Sequence, residues 1–217
     1  MRSFLFVVLL LVIAACKQQP KAFDYGKVQN GVYTNNYFGF EIPVPANWVV
    51  QNKEQVQQLQ KTGEELVSGN DKELGAKIKT ADIRTAILLT VFKNKTDTVS
   101  DKFNSSFIIL SENLGGISIK KGSDYLAHAK EIMQQSSMSY QFAPNYASEK
   151  IGNKEFDRMD VSLGGQTGNV QQSYYSIIHE GFALSVIISY GDDEQKAELK
   201  NIINKIKFKW KFAEKDG

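Results

Sequence analysis

Two histidines, His128 and His179, are the first residues whose type could support chemistry. His179 begins the segment HEGFA, which shares its first two letters with the zinc motif H-E-x-x-H. That motif needs two histidines on one helical face, but the fifth position here is Ala183. The segment also has the pattern of a turn between strands, so we interpret His179 as a turn residue. His128 lies in a predicted helix without recognisable ligand partners, so we expect no metal site.

The other polar clusters predict no reaction either. The glycine-rich segment LGGQTG, residues 163–168, joins two predicted strands, which favours a hairpin loop over a phosphate cradle. Asp192, Asp193 and Glu194 cluster at the start of a predicted helix, where the helix dipole stabilises acids without any catalytic role. The sequence has no G-x-S-x-G elbow, P-loop or G-x-G-x-x-G motif. We therefore predict no catalytic residues and no cofactor.

The C-terminal segment KIKFKWKF alternates cationic and apolar residues. As a β-strand it has one apolar face and one basic face. We call the basic residues the lysine stripe: Lys205, Lys207, Lys209 and Lys211. One interpretation is a surface that contacts anionic lipid headgroups or an acidic partner. The simpler interpretation is an edge strand whose lysines prevent aggregation.

Cys16 is the only cysteine, and it follows an apolar run from Phe4 to Ala15. The run has 12 residues, whereas a membrane-spanning helix needs roughly 20. The short run, the preceding Arg2 and the small pair Ala14-Ala15 are typical of a signal peptide. An ordinary secretory signal is one interpretation of the segment, but it leaves the position of the single cysteine unexplained.

The residues Ile13-Ala14-Ala15-Cys16 resemble a bacterial lipobox. In lipobox proteins the cysteine thiol is diacylglycerated, the signal is cut before it, and the new amine is usually acylated. The resemblance implies a lipid anchor at Cys16, and two or more acyl chains anchor stably where one does not. The residue after Cys16 is Lys17, whereas an Asp at that position would resemble an inner-membrane retention signal. We therefore expect the protein to be attached to the periplasmic side of the outer membrane.

Composition limits the partners that the chain can have. The 217 residues carry a formal net charge of +2, so no global field attracts nucleic acid. The hydrophobic fraction of 42% and the charged fraction of 23% are typical of a globular protein with one sizeable core. Once Cys16 carries lipid, no thiol remains for a disulfide, a metal site or a nucleophile. Composition leaves the oligomeric state open.

We expect four segments along the chain. Residues 1–15 form the signal peptide, 16–30 a lipidated flexible tether, 31–212 a single globular domain and 213–217 a disordered tail. The segment KQQPKAFDYGKVQN, residues 17–30, is polar and has no apolar period, which is typical of a tether. If fully extended, it reaches at most about 50 Å from the membrane.

Periodicity predicts both helices and strands in the first part of the domain. Residues 52–80 indicate one or two surface helices broken near Gly69-Asn70, and residues 85–93 and 105–112 indicate strands. Ser123 has the character of an N-cap for a helix that runs to Met133. The predicted buried face of that helix is Tyr125, Ala129, Ile132 and Met133.

The C-terminal third shows the clearest pattern. We expect hairpins around Gly152-Asn153 and Glu180-Gly181. Asp192 followed by Gln195 indicates a capping box, and the helix after it should bury Leu199, Ile202, Ile203 and Ile206. Antiparallel hairpins with helices between and after them favour an α+β fold in which helices cover an antiparallel sheet.

Both ends of the predicted domain resemble PsbP-like domains. The start YTNNYFGFEIPVPANW carries Gly-Phe in a strand that runs through Pro to Trp48. The end has a tyrosine-rich hairpin, a short amphipathic helix and the final segment INKIKFKW. The resemblance implies an α/β/α sandwich around a central antiparallel sheet flanked by helices, over about residues 31–212. Members are mostly binding or assembly proteins, so the resemblance implies no catalytic residues.

The sequence therefore favours a lipid-anchored envelope protein that binds a protein partner as an accessory or assembly factor. One alternative is a carrier for a small apolar ligand, which needs an aromatic-lined cavity around residues such as Trp48 and Tyr175. The aromatic residues near the start of the domain could instead simply fill the core. An enzyme is the third choice, because no cleft with convergent polar groups can be inferred.

Overall fold

The structure is a computed structural model that describes residues 23–96, 102–136, 138–165 and 168–210. Four helices are described within these ranges: α1 (Lys53–Ser68), α2 (Lys72–Arg84), α3 (Gly122–Gln134) and α4 (Asp193–Ile203). The strands described there are β1 (Lys27–Gln29), β2 (Val32–Asn35), β3 (Phe40–Pro43), β4 (Val49–Val50), β5 (Thr85–Phe92), β6 (Ser106–Asn113), β7 (Tyr140–Phe142), β8 (Ala147–Ile151), β9 (Lys154–Gly165), β10 (Gly168–His179), β11 (Phe182–Tyr190) and β12 (Lys207–Phe208).

The strands form two antiparallel sheets. The large sheet has the order β4-β5-β6-β11-β10-β9-β7, and β8 also pairs with β9. The small sheet has the order β1-β2-β3-β12. The hairpins expected around Gly152-Asn153 and Glu180-Gly181 are confirmed, since β8 pairs with β9 and β10 with β11. The segment LGGQTG lies at the hairpin between β9 and β10, although residues 166–167 are outside the described ranges.

Helices cover both faces of the large sheet. On one face the small sheet and α4 enclose the main core, which includes Phe40, Ile42, Phe107, Ile109, Tyr175, Val186, Ile188, Leu199 and Ile202. On the other face Leu126 of α3 packs against Met159 and Val161 of β9. The predicted α+β class with helices on both faces is therefore confirmed. The separate small sheet is an addition that the sequence pattern did not reveal.

The start of α3 differs from the sequence prediction. The N-cap is Lys121, whose side chain makes no capping hydrogen bond, and Ser123 lies inside the helix. The backbone N–H of Ser123 donates to Asp157 Oδ2 of β9 at 2.7 Å. Gly122 lies so close to the sheet that a Cβ atom there would be 2.1 Å from the Ser176 carbonyl oxygen. The helix therefore begins where the sheet supplies its cap, and local sequence cannot show that partner.

The two ends of the domain also differ from expectation. Residues 27–29, expected in the tether, form β1 and pair with β2, so regular structure begins before Gly31. The final strand has only two residues, Lys207 and Phe208, because just this pair meets β3. The segment 1–15, Cys16 and the tail 213–217 lie outside the described residues. Among the described helices, no stretch is long and apolar enough to cross a bilayer.

Candidate functional site

His179 has a structural position at the end of β10. Its ring stacks on the ring of Trp210 with centroids 3.8 Å apart and an angle of 12° between the planes. Ala183 belongs to the next strand, so the HEGFA segment spans a hairpin, as the sequence predicted. The arrangement holds the last described residues against the domain and does not present His179 as a metal ligand.

The remaining polar candidates have helix-stabilising or surface positions. Asp192 Oδ1 accepts the backbone N–H of Gln195 at 2.8 Å, which confirms it as the N-cap of α4. The reciprocal half of the expected capping box is absent, because the Gln195 side chain accepts the Gly191 N–H and donates to the Phe103 carbonyl oxygen. His128 is exposed and lies 3.9 Å from a carboxylate oxygen of Glu131 on the same helix. Within the described ranges, no cluster of His, Cys, Asp and Glu could hold a metal ion.

The lysine stripe lies at the edge of the small sheet. Lys205, Lys207 and Lys209 are exposed, and Lys211 lies outside the described residues. The Lys209 Nζ atom lies 3.0 Å from Glu41 Oε2 on the neighbouring strand β3. Lysines on an edge strand discourage pairing with the edge of another sheet, and the position of the stripe is consistent with that role. A recognition role for the stripe stays a prediction.

A cleft that sequence reasoning missed lies between α2 and α3 on the large sheet. Its volume is about 640 Å³. Leu110, Tyr174 and Ile187 of the sheet contribute to its lining, with Arg84 at the end of α2. The cleft exists because α2 runs into β5 without a loop while α3 docks near β9 and β10, which separates the two helices.

The residues expected to be the buried face of α3 mostly line this cleft. Tyr125, Ala129, Ile132 and Met133 border it and are only half-buried. Leu126, one position away, is the residue that packs fully. The amphipathic pattern of α3 therefore identified the face that points toward the sheet. It could not show whether that face lines a cleft or packs into the core.

A polar triad lies inside the cleft. The buried carboxylate of Glu112 pairs with Arg84 Nη2 at 3.2 Å through one oxygen and accepts the Tyr125 hydroxyl at 3.0 Å through the other. Burial raises the pKa of Tyr125, and the negative charge of Glu112 raises it further. Tyr125 therefore stays a neutral donor. Arg84 and Tyr125 therefore hold the Glu112 carboxylate from both sides. Arg84 Nε is buried and makes no hydrogen bond with the described residues.

The aromatic cavity expected for a carrier is not where the sequence placed it. Trp48 and Tyr175 are buried in the main core, and neither lines the cleft between α2 and α3. Tyr33, Phe38 and Phe40 are buried in the same core. The interpretation that these aromatic residues fill the core is therefore confirmed.

Helices α1 and α2 form a hairpin that exposes apolar side chains. Asn52 and Gln55 form a reciprocal capping box at the start of α1, with both hydrogen bonds at 2.9 Å. No residue of α1 is fully buried. Leu59 is 39% exposed, Leu66 58% and Ile83 of α2 86%. We call these three residues the hairpin apolar patch.

Comparison with known proteins finds similar folds but no family. No protein-family description matches the chain, and no curated protein matches it. Solved structures do match. Cyanobacterial PsbP from Synechocystis is 11% identical, covers 82% of this chain and 91% of its own, and has a TM-score of 0.45.

Two further solved structures are similar to a comparable degree. The protein LpqN, involved in cell envelope biogenesis of Mycobacterium tuberculosis, is 13% identical, with 76% of this chain and 79% of that chain covered and a TM-score of 0.42. The Pseudomonas aeruginosa protein of unknown function PA94 is 12% identical and has a TM-score of 0.41. The match covers 55% of this chain and 79% of that chain. At these identities and TM-scores the three similarities carry no conclusion about the function of this chain.

Proposed function

We propose that this protein is a lipid-anchored cell-envelope protein whose single domain binds a protein partner as an accessory or assembly factor, without catalysis. The observation that carries the proposal is the hairpin apolar patch on α1 and α2. The residues with catalytic potential support a non-enzymatic role, since His179 stacks on Trp210 and Asp192 caps a helix. Glu112 is held by two partners at once.

The pattern of α1 supports recognition of a protein. In proteins, tertiary packing of an amphipathic face supplies most of the stability of a helix, yet no residue of the 16-residue helix α1 is fully buried. In α1, Val56, Leu59, Gly63 and Leu66 follow at intervals of three and four residues, which places them on one face. Leu59 and Leu66 stay exposed on that face. Grooves on partner proteins commonly receive helix faces with this spacing.

A site-specific photo-crosslinker tests this surface in intact cells. We expect a crosslinker at Leu59 or Leu66 to trap a defined protein adduct. Lys61 on the same helix is the matched control, because it lies about 200° around the axis from Leu59 at 3.6 residues per turn. Equal adducts at Leu59 and Lys61, or none at either leucine, would contradict binding through this face.

The envelope location rests on Cys16 and the lipobox resemblance. Substitution of Cys16 by Ala should release the protein into the soluble fraction or leave an uncleaved precursor, because no acyl chain can be attached. Membrane fractionation followed by mass measurement distinguishes these outcomes. A C16A protein that stays in the membrane pellet fully processed would contradict the lipid anchor. Attachment to the outer membrane is part of the same proposal and requires separation of the two membranes.

A carrier for a small apolar ligand is a second candidate, favoured by the cleft between α2 and α3. The volume of about 640 Å³ is within the usual range for small-molecule sites. The free donor Arg84 Nε offers a hydrogen bond to one oxygen of an otherwise apolar ligand. Native mass spectrometry of the protein purified from membranes should then show a bound small molecule.

Filling the cleft provides the control for the carrier. Ala129→Trp on the cleft wall should abolish the bound mass, whereas Ala76→Trp on the exposed side of α2 should not. Wild-type protein without bound mass, or equal occupancy in the two variants, would reject the carrier and leave protein binding as the function.

A further inference from the structure

A cluster of aromatic rings lies at the end of the domain where the described chain begins. The ring centroid of Phe23 is 4.9 Å from that of Tyr37, 5.1 Å from that of Tyr25 and 6.4 Å from that of Phe182. Phe23 is 39% exposed and Tyr25 is 62% exposed. We call Phe23, Tyr25, Tyr37 and Phe182 the N-terminal aromatic cluster.

The position of the cluster is fixed by hydrogen bonds to the small sheet. The Tyr33 hydroxyl donates to the Tyr25 carbonyl oxygen at 2.7 Å. The Asn35 side chain donates to the Asp24 carbonyl oxygen at 2.8 Å. Gly26 has a positive φ of 74°, and a Cβ atom there would lie 2.4 Å from the Tyr33 hydroxyl oxygen. These contacts fix the backbone of residues 24–26 against the small sheet, and they therefore also fix the position of Phe23.

The length of chain before Phe23 limits how far the cluster can lie from the acyl chains. Phe23 is seven residues after Cys16, so the two lie at most about 24 Å apart in a fully extended chain. The opposite end of the large sheet lies farther from the acyl chains than the cluster does. Phe182 starts β11 and Tyr190 ends it, which separates the two ends by about 27 Å at the rise of a β-strand.

We propose that the N-terminal aromatic cluster is the membrane-facing surface of the domain, with Phe23 and Tyr25 in the headgroup region of a phospholipid bilayer. This inference rests on the proposed lipid anchor. Tyrosine suits that region because its ring is apolar and its hydroxyl is polar. Lys27 is exposed beside the cluster, and the backbone N–H of Lys209 donates to Gly39 at the same end.

The charged groups at this end are of both signs. The Asp24 carboxylate accepts the backbone N–H groups of Gly26 and Asn36, so part of its charge is satisfied within the domain. Glu180 is the exposed acid in the turn next to Phe182. Lys27 is an exposed cation near the cluster, and the lysine stripe continues along the edge of the small sheet from Lys209, whose Nζ atom is paired with Glu41 at 3.0 Å.

Tryptophan fluorescence of the intact lipoprotein tests this orientation. Phe23→Trp places a reporter in the cluster. Phe103→Trp is the matched control, since Phe103 is 36% exposed and packs beside Gly191, just beyond the far end of β11. Both variants are reconstituted in vesicles of phosphatidylglycerol and a phosphatidylcholine that is brominated near the headgroup end of its acyl chains. Trp48 and Trp210 are common to both variants, so they cancel in the comparison.

The Phe23→Trp protein should lose a larger fraction of its emission in brominated vesicles, relative to unbrominated ones, than the Phe103→Trp protein, because Trp210 beside Gly39 at the same end is quenched in both variants. Tyr25→Trp repeats the measurement at a more exposed position if the Phe23 variant folds poorly. Equal quenching at residues 23 and 103 in protein that co-sediments with vesicles overturns the orientation while the anchor stands. Protein that does not co-sediment with vesicles overturns both the anchor and the orientation.

Discussion

Replacement of Gly122 by Ala should loosen the docking of α3 and lower stability. An ideal Cβ at this position would lie 2.1 Å from the Ser176 carbonyl oxygen and 3.0 Å from Asp157 Oδ2. Because backbone rather than a flexible side chain blocks the space, α3 must move by at least about 1.3 Å to restore ordinary van der Waals contact. The same movement stretches the hydrogen bond from Ser123 N–H to Asp157, which is 2.7 Å long.

The magnitude follows from opposing contributions. Overpacking costs about 1–3 kcal/mol, and a weakened hydrogen bond to a carboxylate costs up to about 1.5–3 kcal/mol. The better helix propensity of Ala returns up to about 1 kcal/mol. We expect a net loss of about 2–3 kcal/mol in the free energy of unfolding, which lowers Tm by about 4–12 °C for a domain of this size.

The assay is urea and thermal unfolding followed by circular dichroism, with Gly63→Ala as the matched control. Gly63 lies in α1, and a Cβ atom there meets nothing within 4 Å. That substitution should raise stability by up to about 1 kcal/mol, since Ala is favoured over Gly in a helix. Gly122→Ala and Gly63→Ala should therefore have opposite signs. If Gly122→Ala stabilised the protein as Gly63→Ala does, the close approach of α3 to β10 would be refuted.

Three further predictions concern the ion pairs, the cleft and the lysine stripe. Burial opposes the charge of Glu149, but Lys200 and Arg158 outweigh that effect and lower its pKa below 4.5. Its stabilising contribution is therefore complete above pH 4.5 and lost as the pH falls through the folded-state pKa. Glu149→Gln should destabilise the protein at pH 7 in urea unfolding, with a difference from wild type that shrinks in acid; a constant difference would contradict the pKa shift. Tyr125→Phe removes the donor to Glu112, and we expect calorimetry to show a loss of about 1.5–3 kcal/mol; no loss would mean that solvent replaces this donor. Changing all four lysines of the stripe to Gln should leave vesicle binding unaltered at low and high salt if the stripe only protects an edge, whereas salt-dependent weakening would assign it a recognition role.

Elements with a strong local signal could be predicted from the sequence. The break between α1 and α2 is marked by Gly69-Asn70, and Asp192 with Gln195 marks the start of α4. The predicted buried face of α4 is also confirmed, since Leu199, Ile202, Ile203 and Ile206 lie in the main core. In these places turn chemistry, capping and apolar period agree, so local sequence is sufficient.

Features that depend on distant partners could not be predicted. The start of α3 depends on Asp157, which is 34 residues away from Ser123. The cleft depends on the separation of α2 from α3 over the sheet, and its triad joins Arg84, Glu112 and Tyr125 from three elements. No spacing in the sequence relates these residues. The short β12 likewise depends on a distant partner, since only Lys207 and Phe208 of the longer alternation in KIKFKWKF pair with β3.

The mass of the processed protein tests the central claim most directly. Mass spectrometry of the full-length gene product, purified from bacterial membranes, should find a chain that begins at Cys16 and carries a diacylglyceryl group with an acylated amine. That result would place the domain at a bilayer and support a partner in the envelope. A processed chain with an unmodified Cys16, or one cut after Cys16, would contradict the account.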